Sequence, residues 1–131
     1  MYGRGDDWER LVEETTLFLE ERAATDAFVT YGQLNGALVQ RTGLPPLDFS
    51  QDRDRAAVGA LLWEAVDRTF AEVGAMISAI MIRQEANDPG PGFYELAVEK
   101  GLLEAGASPE RRTEFWLEQA GKVRAHYRRA R

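Results

Sequence analysis

The chain has 131 residues, no cysteine and a formal net charge of −6. That length suits one hydrophobic core, and 44% apolar with 29% charged residues fits an ordinary globular protein rather than a disordered one. The composition excludes disulfides, thiol catalysis and cysteine-bound zinc, and a single histidine, His126, excludes a histidine-rich metal site within one chain; no metal or cofactor is expected.

Asp6 or Asp7 can cap a first helix, and Glu9 suits its positive N-terminal end. Trp8, Leu11, Val12, Thr15, Phe18 and Leu19 recur at helical spacing. This stripe predicts a helix to about Ala24, with Glu9, Glu13 and Glu20 turned away from it. Ala27 to Val29 reads as a very short strand. Thr30 then stands as N-cap of a helix from Tyr31 to Arg41, and Gly43 ends it in the C-cap position. Gly32 and Gly36 weaken that helix by about 1 kcal/mol each, so it depends on tertiary packing. Leu44 to Ser50 contains two prolines and reads as a loop, pinned to the core by Leu44, Leu47 and Phe49.

Ser50 or Asp52 is placed to cap the longest helix. Val58, Leu62, Ala65, Val66, Thr69, Phe70 and Val73 form its core stripe. Glu64 and Arg68 stand as an i,i+4 pair, and Leu61 and Trp63 widen the apolar surface beyond one face. Gly74 ends the helix. Met76 to Arg83 has apolar residues on both faces, which predicts a strand buried on both sides. A turn-rich segment, Gln84 to Gly92, follows. Phe93 and Tyr94 can pair with the preceding strand before Glu95 to Lys100 turns helical, ending at Gly101 or Gly106. Ser108-Pro109 starts a last helix, which buries Trp116, Ala120, Val123 and Tyr127 and carries Glu118 and Lys122 as an i,i+4 pair. The expected architecture is one mostly α (α+β) domain over residues 1-131. An N-terminal helix occupies 1-26, a winged-helix-like centre with a small β-hairpin 27-94, and C-terminal helices 95-131.

The first residues, Met1 to Asp7, contain no apolar signal region, and the run Val73 to Ile82 is too short to span a bilayer. A cytoplasmic protein without membrane attachment is expected. Charge is uneven along the chain. Residues 1–26 hold eight acids and three bases, residues 27–107 eleven and six, and residues 108–131 three and seven. An acidic body repels nucleic acid at long range. Contact with DNA would therefore need a local basic face, available around Arg53 and Arg55 and at the C-terminus.

No catalytic constellation stands out. Glu13-Glu14 and Glu20-Glu21 are helical neighbours that point in different directions, so neither is an acid–base dyad. No serine has a nucleophile-elbow context, and His126 lies far along the chain from any candidate nucleophile. Gly90-Pro91-Gly92 lacks the third glycine and the Lys-Ser/Thr of a phosphate loop. Arg124, Arg128, Arg129 and Arg131 oppose the dipole of the last helix, or form a phosphate-contacting patch interleaved with Tyr127.

Val29-Thr30-Tyr31-Gly32-Gln33-Leu34, then Arg55-Ala56-Ala57-Val58-Gly59-Ala60-Leu61, then the apolar Met76 to Ile82, resemble the winged-helix DNA-binding domain of alkylguanine-DNA alkyltransferases and alkyltransferase-like proteins. The resemblance covers about half the chain. It implies a helix-turn-helix whose second helix, from near Arg53, faces DNA, with Tyr31 and Arg55 toward the backbone and base stack. The family's Pro-Cys-His-Arg motif is absent, which excludes alkyl transfer, and Arg55 stands one residue earlier than the family's intercalating arginine. On this resemblance the leading expectation is a non-enzymatic protein binding nucleic acid, with duplex DNA the expected form. Tyr31, Arg53 and Arg55 would make the contacts, Arg83 would stand on the wing, and Arg124 and Arg128 would be auxiliary. Two alternatives stand beside it. One is a protein-interaction module, supported by the acidic charge and by Trp63, Leu61 and Phe70; its partner is another protein or a second copy of the chain. The other is an acidic nucleic-acid mimic.

Overall fold

Seven consecutive residues, Ala75 to Met81, are buried, and the rest of the chain is arranged around them. The computed structural model describes residues 5–129. In chain order these form α1 (Gly5–Ala23), β1 (Val29–Thr30), α2 (Tyr31–Thr42), α3 (Asp52–Val73), a 3-10 turn (Ile77–Ile80), β2 (Met81–Ile82), α4 (Pro91–Glu99) and α5 (Pro109–Arg129). The fold is mostly α with a small two-stranded sheet.

The buried run is not the eight-residue strand its apolar content predicts. α1, α3 and α5 all pack against it, so most of it has no neighbouring strand to satisfy its backbone. Buried N–H and C=O groups must still find partners. The chain coils into a 3-10 turn, with Ala79 N–H donating to the Met76 carbonyl at 3.0 Å. Side chains of α5 satisfy two more groups. Gln119 Oε1 accepts from Met76 N–H at 2.8 Å, and Trp116 Nε1–H donates to the Ala79 carbonyl at 2.8 Å.

The expected hairpin is also replaced. β2 pairs in parallel with β1, Val29 opposite Met81 and Thr30 opposite Ile82. A two-residue turn can join only antiparallel strands, so this pairing needs a long crossover, supplied by α2 and α3. Phe93 and Tyr94 do not pair with β2. Gly90, at φ 85°, turns the chain so that Pro91 starts α4, which includes both aromatics. The intervening turn closes on itself through Arg83 N–H to the Asp88 carbonyl at 2.8 Å, with Asn87 at φ 50°.

Local helix signals hold at several ends. Thr30 Oγ1 accepts from Gln33 N–H at 3.2 Å while Gln33 Oε1 accepts from Thr30 N–H at 2.9 Å, a complete capping box. Gly43 and Gly74 close α2 and α3 in the left-handed conformation, and Ser108 Oγ accepts from Arg111 N–H to start α5. Other signals are overridden. Neither Ser50 nor Asp52 caps α3; Gln51 occupies that place with no side-chain bond. Ser50 is held by Asp48 instead, and buried Asp54 accepts the Asp48 N–H at 2.7 Å. Asp6 and Asp7 lie inside the first turn of α1. Arg68 reaches Glu9 of α1 at 2.7 Å instead of pairing along its own helix.

α1 lays Leu11, Val12, Thr15, Phe18 and Leu19 into the core, as its spacing predicts. Its Glu20 is not turned to solvent, because Tyr127 of α5 donates its hydroxyl to Glu20 Oε2 at 2.8 Å. Burial first, then the Glu20 carboxylate, pushes the Tyr127 pKa well above the usual phenol value. A raised folded-state pKa gives stability that is complete below about pH 10, the unfolded value, and is lost as pH rises toward the folded one. Burial also raises the phenols of Tyr31 and Tyr94, so they act in the same direction. Urea midpoints are therefore expected to hold from pH 8 to about pH 10 and to fall above that. Tyr127→Phe should lower the midpoint at pH 8 and flatten the fall. An unchanged slope in that variant would exclude Tyr127 as its main source.

Candidate functional site

The six residues expected to face nucleic acid do not form one surface. Tyr31 and Arg83 do come together. The Tyr31 hydroxyl donates to the Pro89 carbonyl at 3.4 Å, and Arg83 grips Asp88 through bonds of 3.0 and 3.1 Å. Burial raises the Tyr31 pKa, Arg83 lowers it and Asp88 raises it again, so all three groups share one neighbourhood. Phe49 links Arg55 to this group: its ring meets the edge of Tyr31 at 6.2 Å, and its carbonyl accepts from Arg55, which also pairs with Asp52. Arg53 is the freest of the six, with its side chain 82% exposed and its nearest carboxylate, Asp54, at 3.9 Å.

Arg124 and Arg128 lie elsewhere. Arg124 donates to the carbonyls of Thr25 and Ala27 and sits 4.9 Å over the Phe28 ring, so it ties α5 to the loop after α1. Arg128 pairs with Asp26. Nearby His126 bonds Glu72 at 2.9 Å, in the last turn of α3, whereas Arg53 and Arg55 stand in its first turn. At 1.5 Å per residue, Arg55 and Glu72 are about 25 Å apart along that helix. Arg131 lies outside the described residues. Most of the other cations are also engaged internally. Arg41 pairs with Glu14 and Glu21, Lys100 with Asp67, and Arg111 with Glu104 and Glu114. Arg10 bonds the Thr42 carbonyl, and Arg22 and Arg112 lie over aromatic rings. Among the described residues only Lys122 and Arg129 have no ion pair, carbonyl or ring partner.

A different feature of the surface is concave. Between α3 and α4 an open cleft is lined by Gly59, Leu62 and Trp63 on one side and Gly92, Phe93 and Leu96 on the other. Tyr31, Pro89 and, from the buried run, Ser78 complete its lining. Its empty volume, counting the open mouth, is about 370 Å³. Trp63 is 39% exposed at the rim. Ser78 is only 5% exposed, yet its hydroxyl has no hydrogen-bond partner among the described residues.

The chain matches no family model, no curated protein and no solved structure.

The cleft thus joins three aromatic rings to one unpaired hydroxyl. No histidine or carboxylate bonds Ser78, so nothing in the described structure activates it as a nucleophile. No group of three or more histidine or acidic side chains is placed to hold a metal ion among the described residues. No described helix is long and apolar enough to cross a membrane. On α4 the helical repeat puts Glu95 and Glu99 beside Gly92 and Leu96, on the solvent side of the cleft. Both are exposed and have no ion-pair partner among the described residues. The charge left uncompensated beside the cleft is therefore negative. Sequence alone singles out Tyr31 and Trp63, but not Ser78, Pro89 or Gly92. Their convergence comes from the 3-10 turn and the start of α4, for which the apolar pattern carried no signal.

Proposed function

We propose that this protein is a non-enzymatic interaction module that binds another protein through the cleft between α3 and α4. The observation that carries this reading is the exposed indole of Trp63 at the rim of an aromatic cleft that the rest of the described chain leaves uncovered. Large apolar surface left in water is costly, and aromatic side chains dominate the binding energy of protein interfaces. The internal engagement of most arginines supports the same reading, because a nucleic-acid surface needs cations free to displace counterions. Nucleic-acid binding remains the second reading. It rests on Arg53, whose side chain is 82% exposed in the first turn of α3.

Gly59 gives the test. It stands in mid-helix, and a Cβ there would meet nothing within 4 Å. Removing a helical glycine gains up to about 1 kcal/mol, so Gly59→Leu should keep or raise the melting temperature while filling the cleft. A partner captured from the host, identified and then purified, is expected to bind the native protein in calorimetry and to bind Gly59→Leu at least tenfold more weakly, about 1.4 kcal/mol. Equal binding to both proteins would remove the cleft from the reading. Binding to duplex DNA that falls steeply with salt and is lost in Arg53→Glu would put the second reading first.

A further inference from the structure

The outer face of α5 carries a self-complementary pattern. Glu110, Glu114, Leu117, Gly121, Arg124 and Arg128 recur at alternating intervals of four and three residues. That spacing draws one line along a helix, the kind of seam by which one helix packs along another. The buried residues of α5, among them Trp116, Val123 and Tyr127, lie on its other side. All the seam residues are exposed except Arg124, which is drawn aside onto the loop after α1. Leu117 is 51% exposed, more than any other large apolar side chain described. Gly121 stands in mid-helix, where glycine is unfavourable. A Cβ there would meet nothing within 4 Å, so the chain's own packing does not call for a glycine.

Charge along the seam changes sign at its middle. Glu110 and Glu114 precede Leu117, while Arg124 and Arg128 follow Gly121. The helix dipole accounts for such a bias only in the first and last turns, and Glu114 and Arg124 lie deeper in the helix. One two-fold axis, midway between Leu117 and Gly121, satisfies the whole line. It sets Leu117 of one copy over Gly121 of another. Glu110 stands seven residues before Leu117 and Arg128 seven after Gly121, so the same axis brings Glu110 to Arg128. Beside the seam it brings Glu118 to Lys122, a cation with no ion-pair, carbonyl or ring partner in its own chain. A parallel pairing would set acid on acid and base on base.

We infer that α5 is the interface of an antiparallel homodimer, a second copy of this chain occupying its outer face. Leu117 is the knob and Gly121 the hollow, and the charges fix direction and register. Arg128 keeps Asp26 and gains Glu110 of the second copy. No residue of this face lines the cleft between α3 and α4, so the inference is independent of the interaction reading above. A single crossing of two such helices buries less than about 1,200 Å², the low end of specific interfaces, so the dissociation constant is expected on the order of 100 µM.

Sedimentation equilibrium of the whole protein, at concentrations bracketing that value, is the test. The native chain is expected to pass from monomer to dimer as concentration rises. Gly121→Leu and Leu117→Glu should each weaken the dimer at least tenfold. Both positions face solvent, so circular dichroism should show helix content retained. Glu110→Arg and Arg128→Glu each set like charges together at both ends of the seam, and each should weaken the dimer about tenfold. Mixed in equal amounts, these two variants should associate with one another as tightly as the native chain does with itself, because each end then holds one arginine and one glutamate. A folding defect would not be repaired by mixing. A chain that stays monomeric throughout, a dimer untouched by Gly121→Leu and Leu117→Glu, or charge variants that fail to complement would overturn the inference. A dimer lost instead in Gly59→Leu would place the contact at the cleft and overturn it equally.

Discussion

Replacing Trp116 with alanine is expected to destabilise the protein by about 3–5 kcal/mol, the range for deleting a large buried aromatic. Total stabilities are commonly about 5–15 kcal/mol, so this single change removes a large share. The Trp116 ring is buried and lies 5.4 Å from the Phe28 ring, on which Arg124 rests in turn. Its Nε1–H is the partner of the Ala79 carbonyl. Truncation therefore opens a cavity, frees the loop after α1 and leaves a buried carbonyl unpaired. Trp116→Phe separates these effects. It keeps one aromatic ring in place and loses the donor together with the rest of the indole, for an expected cost of about 1–3 kcal/mol. Urea unfolding followed by circular dichroism reads both. A cost below about 1 kcal/mol for the alanine variant would mean that α5 does not hold the buried run in this way.

Thr15→Val is expected to act in the opposite direction, stabilising the protein by about 1–3 kcal/mol. Thr15 is fully buried in α1, and its Oγ1 has no hydrogen-bond partner. Taking a hydroxyl out of water without a compensating bond carries a penalty of that size. Valine has nearly the same shape and the same branching at Cβ, so packing and helix preference change little. Thr15→Ser is the control: it keeps the hydroxyl, loses a methyl group and should melt below the native protein. A lower melting temperature for Thr15→Val would show that the hydroxyl is in fact bonded, for instance to a buried water.

The first of these changes acts where the sequence was hardest to read. The ends of α2, α3 and α5 were legible because Thr30, Gly43, Gly74 and Ser108-Pro109 act through bonds to residues three or four positions away. The run from Met76 to Ile82 was not. A continuous apolar stretch has no period of its own, so it fits a buried strand and a buried 3-10 turn equally well. What decided its shape were Gln119 and Trp116, 43 and 37 residues further along the chain. The same distance problem hid the role of Arg124. As sequence it is one of a cluster of C-terminal bases; in the fold its partners are carbonyls 99 and 97 residues away. Tyr31 and Trp63 were recognisable as residues of interest. That they share a cleft with Ser78 follows only once α3, α4 and the buried run are side by side.

The parallel pairing of β1 with β2 has a consequence for the order in which the protein assembles. Val29 and Met81 are separated by about fifty residues. Closing a loop of that length costs roughly 2 kcal/mol more than closing a five-residue hairpin. Two short strands with four residues between them cannot repay that cost early in folding. The intervening helices must first form and draw the ends together, as is general when sequence-distant contacts follow local ones. Ser78 lies three residues before Met81, so the lining of the cleft is completed among the last events of folding. The surface assigned to binding is thus built on the segment whose placement depends most on the rest of the molecule being finished, and a folding intermediate with formed helices would lack it.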